Sequence, residues 1–302
     1  MEPIIDAVVV GAGPAGLSAA LFLGRAGRST VVFDGGKSRI HAVEEIREHL
    51  GFDGRSTDEY LKRARDEVLQ YGVEIRQASV CSVVPRSDGV FDIEYGDGAI
   101  TARTVVLATG LKDVLPPLSG LPEAWGRDVR VCPCFDGHEV RGKRFVVFGL
   151  PERLAQMASW VWMWSQDVTV VTDHVFNETD SERLRLLDIK VVPGTVTGLL
   201  HRAVRLVAIE TASGAEVECD AAWIAAPMTA ASDLAASLCE VDEIGLAKAD
   251  KHGRTSRPGV FAIGNASDPL AHLAHASAAG TNVGPVVTLY LLEQHIAARR
   301  AA

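Results

Sequence analysis

Ala7-Val8-Val9-Val10-Gly11-Ala12-Gly13-Pro14-Ala15-Gly16-Leu17 decides how this chain folds. Four apolar residues without polar alternation, Ala7 to Val10, read as a buried parallel strand, and a glycine-rich turn follows at once. Leu17 to Leu23 then reads as helix, and a second apolar strand, Thr30 to Phe33, ends at Asp34. Gly11 allows the tight turn, Gly13 lets a pyrophosphate approach the backbone, and Gly16 lets the helix pack closely. Pro14 and Ala15 lie within the turn, and the helix N-terminus behind it offers free N–H groups that suit a phosphate. Asp34, with Gly35 behind it, lies about 20 residues past the glycines, where a dinucleotide's ribose hydroxyl needs an acceptor.

A second strand, turn and helix repeats this unit about 138 residues later. Arg144 to Phe148 reads as strand, Gly149-Leu150-Pro151-Glu152-Arg153-Leu154 as the turn, a helix runs towards Gln166, and Val168 to Val171 is the next strand. Only the first glycine position is kept; Pro151 and Leu154 hold the other two. Pro151 has no N–H to offer a phosphate, and Glu152 puts a carboxylate where the anion would sit. Trp160 and Trp164, four apart on this helix, read as core-facing packing.

The 302 residues suffice for about two domains with real cores. At 47% hydrophobic and 23% charged the chain reads as an ordinary folded protein, and a net charge of −9 speaks against nucleic acid or an anionic membrane surface. The first residues lack a basic secretory leader, and no apolar run reaches the roughly 20 residues of a membrane span. We therefore expect a cytoplasmic protein without a disulfide scaffold. Cys81, Cys219 and Cys239 stand apart and read as inert buried thiols, whereas Cys132 and Cys134 are separated only by Pro133.

Val105-Val106-Leu107-Ala108-Thr109-Gly110, then Leu115-Pro116-Pro117, and Gly259-Val260-Phe261-Ala262-Ile263-Gly264-Asn265 complete a set of motifs spread over nearly the whole chain. Together with the first turn they resemble the FAD-binding segments of thioredoxin reductase-like flavoproteins. The resemblance implies an α/β fold of two nested Rossmann-like dinucleotide-binding domains: an FAD domain from residues 1–112 and 245–302, and an inserted NAD(P)-like domain, 113–244, with a degenerate nucleotide motif. It implies a homodimer and FAD held by Gly11, Gly13, Pro14, Ala15, Gly16, Asp34, Gly35, Thr109, Gly110, Gly264 and Asn265. The family has Gly-Asp where this chain has Gly264-Asn265; an amide still donates and accepts without charge. The stretch from Ser38-Arg39 to Leu50-Gly51-Phe52-Asp53-Gly54 resembles the family's chain beside the flavin. For His272 two readings stand, a flavin contact or a solvent-facing loop residue, and His275 shares the second. Where NADPH-dependent members carry a basic cluster, this chain has Thr172-Asp173-His174.

Val131-Cys132-Pro133-Cys134-Phe135-Asp136-Gly137-His138 resembles the family's redox segment, in which two residues separate the cysteines. Registered on Asp136-Gly137, Cys132 matches, Asp136 takes the acid/base position, and Phe135 stands where the second cysteine belongs. Cys134, one residue early, is a candidate. A Cys-Pro-Cys disulfide closes a small, readily reduced ring suited to exchange; the shift could instead turn Cys134 from the flavin and end or change its redox task. A metal held by Cys132, Cys134 and His138 lacks an evident fourth ligand, so we expect none.

An intact FAD site beside a disabled nicotinamide site points to an FAD-dependent dithiol oxidase. Electrons would enter from a small-molecule dithiol and leave to dioxygen, as in the family members without NADPH motifs that form disulfides in natural products. The rivals are a disulfide reductase fed by NAD(P)H or ferredoxin, and a flavin-bound partner protein without turnover.

Overall fold

The computed structural model describes residues 3–36, 38–96 and 98–301. The chain divides into two compact units, one from Met1–His41, Glu48–Lys112 and Met228–Ala302, the other from Ala42–Arg47 and Asp113–Pro227.

In the first unit β1 (Ile5–Val10) leads through the glycine turn to α1 (Pro14–Arg25) and β2 (Thr30–Phe33). Helix α2 (Thr57–Leu69) starts at Ser56, whose hydroxyl accepts from the Glu59 N–H. Strands β3 (Glu74–Arg76), β4 (Val80–Pro85), β5 (Phe91–Tyr95), the ten-residue β6 (Gly98–Leu107) and β7 (Leu111–Asp113) follow.

The second unit holds α3 (Leu121–Ala124), β8 (Val129–Arg130), α4 (Pro133–Asp136), β9 (Phe145–Gly149), α5 (Pro151–Val161), β10 (Val168–Val171), α6 (Glu178–Leu186) and β11 (Lys190–Val192). Strands β12 (Val196–Arg202), β13 (Arg205–Thr211) and β14 (Glu216–Glu218) form an antiparallel sheet, and β15 (Ala221–Ala225) returns to the main one. That main sheet is wholly parallel in the order β11-β10-β9-β15-β8. Its central strands β9 and β15 are continuous apolar runs because both faces are covered there; all five residues of β15 are buried.

The first unit resumes with β16 (Met228–Ala230), α7 (Leu234–Leu238), β17 (Val260–Ala262) and α8 (Leu273–Ala301). Its main sheet runs β3-β2-β1-β6-β5-β4. The long β6 pairs parallel with β1 along one edge and serves two partners on the other: its first half pairs antiparallel with β5, and Val105 to Leu107 pair parallel with β17. Helices α1 and α8 cover one face, approaching so closely that a Cβ on Gly280 would lie 2.2 Å from the Ala15 carbonyl. Leu234, Ala235 and Leu238 of α7 cover the other with Val8, Phe33 and Ile93. The chain thus re-enters the first unit at Met228, not at 245, because α7 supplies core to this sheet. Each fully buried aliphatic side chain there is worth about 1.5–3 kcal/mol.

Helix α5 also ends earlier than its pattern suggests, at Val161 rather than near Gln166. The Trp164 carbonyl accepts from the Gly142 N–H, turning the chain out of the helix. Trp160, inside the helix, is exposed and not packed, while Trp164 reaches the second unit's core from beyond the helix end.

Candidate functional site

The glycine turn of the first unit makes a cradle. Gly11 has φ +114°, and a Cβ there would lie 2.3 Å from the Ala108 carbonyl, so the turn lies directly on the Ala108-Thr109-Gly110 segment. Around Gly13, by contrast, an added Cβ meets nothing within 4 Å. Gly13 caps α1 without a side-chain hydrogen bond, Pro14 is the first helical residue, and the first turn holds no acidic residue. The result is an open, uncapped helix N-terminus, which attracts an anion. Ala15 is buried beneath Gly264, whose Cβ would lie 2.8 Å from that of Ala15. The Gly110 carbonyl takes the Ala231 N–H, and Thr109 is half-buried beside it.

Asp34 is 5% exposed and accepts from the Gly36 N–H at 3.0 Å, Arg65 at 2.8 Å and Gln77 at 3.2 Å. Burial alone would raise its pKa, but these three donors outweigh it and hold the carboxyl below its ordinary value. Gly35 is exposed and lies against Ser79. Asn265 donates from Nδ2 to the carbonyls of Asp268 and Ala271, at 2.8 and 3.1 Å. A carboxylate could not make those two bonds, which gives the departure from Gly-Asp a structural reason. An open phosphate cradle next to a charged acceptor fits FAD.

Residues that single motifs do not reveal stand in the same unit. His272 Nδ1 is hydrogen bonded to the Glu48 carboxylate, and the His272 and His275 rings lie 6.4 Å apart. Phe52, in the stretch assigned beside the flavin, packs edge-on to Tyr60 at 5.2 Å, whereas Leu50 is wholly exposed.

The second unit repeats the strand-to-helix device only in part. Gly149 has φ +120° and sits on the Ala225 carbonyl as Gly11 sits on that of Ala108. Helix α5 then begins at Pro151, the counterpart of Gly13, so the turn is one residue shorter than the first unit's. Leu154, the counterpart of Gly16, is fully buried in the helix–sheet core, and Glu152 lies exposed in the first turn. After β10, Asp173 accepts from the Thr195 hydroxyl at 2.6 Å. Neither an open phosphate cradle nor a basic cluster is present among the described residues of this turn and strand end.

The cysteine segment belongs to the second unit. Cys132 caps α4 with an extended backbone, Pro133 opens the helix, and the Gly137 N–H closes the turn on the Pro133 carbonyl at 2.8 Å. Cys132 and Cys134 are joined as a disulfide, with Cα atoms 5.5 Å apart. The sulfurs are thus bonded to each other, and His138 Nδ1 faces Arg141 at 3.4 Å. A Cβ on Gly137 would lie 2.9 Å from the Trp164 ring, which fixes the turn from behind.

Asp136 ends α4 and is 13% exposed. Arg130 donates from Nε to Asp136 Oδ2 at 2.5 Å and from Nη1 to the Asp128 carbonyl at 3.3 Å, with its guanidinium 5.9 Å from the buried Trp223 ring. Oδ1 of Asp136 is buried without a hydrogen-bond partner. Burial pushes the Asp136 carboxyl up to about 6, and the neighbouring Arg130 only partly opposes it. Arg130 is missed by motif reading, although a charge inside Val129-Arg130-Val131, two residues before a cysteine, is a signal. Of the remaining thiols Cys81 is exposed, against expectation, because it lies on a strand with a solvent side. Cys219 is buried, which pushes its thiol up to about 12, and Cys239 is half-buried.

A model of the pyridine nucleotide-disulphide oxidoreductase family matches residues 5–280. Thioredoxin reductase sirT of Leptosphaeria maculans is 30% identical over 318 residues, covering 98% of this chain and 97% of its own. The thioredoxin reductase of Treponema pallidum (strain Nichols) is 29% identical over 279 residues, covering 88% and 90%. Among solved structures, HlmI shares a TM-score of 0.95 at 33% identity, over 100% of this chain and 97% of HlmI. The oxidoreductase from Agrobacterium tumefaciens shares 0.89 at 25% identity, over 96% and 99%.

Proposed function

The chain belongs to the pyridine nucleotide-disulphide oxidoreductase family, a family of FAD-binding enzymes, and from that premise we propose that it is a dithiol oxidase. Its substrate in this reading is a small molecule bearing two thiols, and its final electron acceptor is dioxygen. The observation that carries the reading is Leu154. A fully buried leucine replaces the glycine of a working nucleotide turn, behind a helix that starts one residue early on a proline. With a nicotinamide donor disfavoured, the Cys132–Cys134 disulfide supports thiols as the electron source.

One substrate thiol loses its proton, and the thiolate attacks one sulfur of the Cys132–Cys134 bond. That bond breaks, a mixed disulfide forms, and the other cysteine leaves as a thiolate. The second substrate thiol, also deprotonated, attacks the mixed disulfide and releases the substrate as its own disulfide. The two cysteines now hold two electrons, and Asp136 at the end of the same helical turn supplies and removes their protons. Gly11, Gly13, Gly16, Asp34 and Gly264 would hold FAD, which when bound would supply the two-electron acceptor, with dioxygen as the final oxidant and hydrogen peroxide as its product. Cys81, Cys219 and Cys239 are unpaired, which agrees with work in a reducing cytoplasm, and the family resemblance extends to a homodimer.

Anaerobic rapid mixing tests this. Dithiothreitol should bleach the flavin absorption quickly and NADPH should not, and air should restore it with one peroxide per flavin. Fast bleaching by NADPH with none by dithiols would transfer the protein to the reductases. If Cys132→Ser and Cys134→Ser each left dithiol bleaching unchanged, the disulfide would have no part in it.

A further inference from the structure

Helix α2 carries three basic residues, and two of them, Lys62 and Arg63, pair along its surface with Asp66 and Glu67 four positions on. Arg65 is placed differently. It shares a helix face with Leu61 and Val68, both buried, so its side chain is directed at the sheet of the first unit. There it meets the buried carboxylate of Asp34 at the end of β2. The Asp34 backbone is itself fixed, its N–H donating to the Arg76 carbonyl at 2.8 Å.

The ion pair uses one arm of the guanidinium. Arg65 Nη2 donates to Asp34 Oδ2 at 2.8 Å, and Gln77 Nε2 donates to the same oxygen at 3.2 Å. Oδ1 takes the Gly36 N–H at 3.0 Å, which leaves it a second lone pair. Arg65 Nε is buried and has no hydrogen-bond partner among the described residues. An arginine that serves only as a counter-ion gains most by closing both arms of its fork on both carboxylate oxygens. A buried N–H left unmet costs stability instead. One ion pair thus holds a donor lacking an acceptor and an acceptor with capacity to spare. A sugar diol satisfies both, because each hydroxyl can donate and accept.

We propose that Arg65 is a second ribose-binding residue of the FAD site, its Nε–H donating to an oxygen of the adenosine ribose while Asp34 Oδ1 accepts from a ribose hydroxyl. Gln77 shares Oδ2 with Arg65 and so helps hold the carboxylate in place. The guanidinium also offsets the Asp34 charge, which would otherwise add to that of the pyrophosphate. The assignment rests on FAD binding at the glycine cradle of the first unit and is independent of the dithiol chemistry.

Flavin exchange tests it. The FAD-loaded protein is equilibrated with an excess of FAD mixed equally with its 2′,3′-dideoxyadenosine analogue, and the two flavins then bound are counted by chromatography. Both are counted on the same folded molecules, so a general loss of stability cancels from the ratio. Wild type should favour FAD by about a hundredfold, the effect of two hydrogen bonds to charged groups. Asp34→Ala and Arg65→Met should each reduce that preference at least about tenfold. Arg65→Lys keeps a charge for Oδ2 but has no second arm, so it should resemble Arg65→Met. Gly13→Asp, altered at the phosphate end, should bind both flavins more weakly and keep the wild-type ratio, which separates a failure of the cradle from a failure at the ribose. Equal binding of the two flavins by wild type would overturn the proposal, as would an undiminished preference in Arg65→Met. Full preference in Arg65→Lys would overturn it too, since Arg65 would then act on Asp34 alone.

Discussion

His272 Nδ1 is held by the carboxylate of Glu48, 224 positions earlier in the chain, and Glu48 takes a left-handed backbone, φ 50°, to reach it. The Glu48 N–H is tied to Asp53 Oδ1 at 2.8 Å, which keeps the residue in that conformation. A non-glycine residue there costs about 1–2 kcal/mol, so the contact is maintained against a local penalty.

That penalty gives an inverted glycine effect. Alanine and glycine at 48 both remove the carboxylate, but only glycine relieves the backbone. Glu48→Gly should therefore be more stable than Glu48→Ala by about 1 kcal/mol in urea unfolding, the reverse of the usual order. Equal midpoints would show the left-handed backbone to be without cost.

Asp136 predicts a pH effect on stability with a definite sign. Its carboxyl is pushed up to about 6 by burial, so the folded state binds its proton more tightly than the unfolded state does. The stability it contributes is complete below about pH 4, declines as pH rises, and is gone above about pH 6. Stability of the oxidised wild type relative to Asp136→Asn should thus fall across that window by up to about 3 kcal/mol. Urea melts of both proteins at the two ends measure it. A relative stability that rose with pH would mean that Arg130 outweighs burial.

Leu154 makes the second turn a matter of core packing. Leu154→Ala should destabilise the protein by about 2–5 kcal/mol, as a fully buried leucine does elsewhere. It should not create NADPH-driven flavin bleaching, because Pro151 and Glu152 still occupy the head of α5. Thermal melts and a rapid-mixing trace check the two halves. Bleaching by NADPH in this variant would show that the leucine alone closed the site.

Local periodicity and turn chemistry made much of the fold legible. Thr30 to Phe33 and Val168 to Val171 are strands with the bounds their apolar runs mark, and the two glycine turns lie where their spacing puts them. The α5 terminus was not legible, because it is set by the Trp164 carbonyl accepting from the Gly142 N–H rather than by a helix-stop residue. Nor was the return at Met228, which depends on where Leu234 and Leu238 find a sheet to cover. In the candidate site the motif residues can be read from their spacing, but the residues packed around them cannot. Glu48 and His272 are joined only by the fold, whereas Arg130 betrayed itself faintly as a charge in an apolar strand.

The first cradle separates binding from folding at two neighbouring glycines. A Cβ on Gly16 would lie 1.9 Å from the Gly11 carbonyl, backbone against backbone, so Gly16→Ala must push α1 off its strand and should cost about 1–3 kcal/mol. Gly13 faces open space and has an ordinary extended backbone, so a side chain there meets no protein. Aspartate is a favoured cap at that position and suits the helix dipole. Gly13→Asp should therefore leave the flavin-free protein as stable as wild type or slightly more so. Its carboxylate would occupy the anion position, as Glu152 does at the head of α5, and FAD affinity should fall at least about tenfold through lost phosphate bonds and like-charge repulsion. Flavin content after purification and a fluorescence titration with FAD measure the loss, and thermal melts of the two apoproteins measure the stability. Full flavin occupancy in Gly13→Asp would show that the phosphates do not sit at the head of α1.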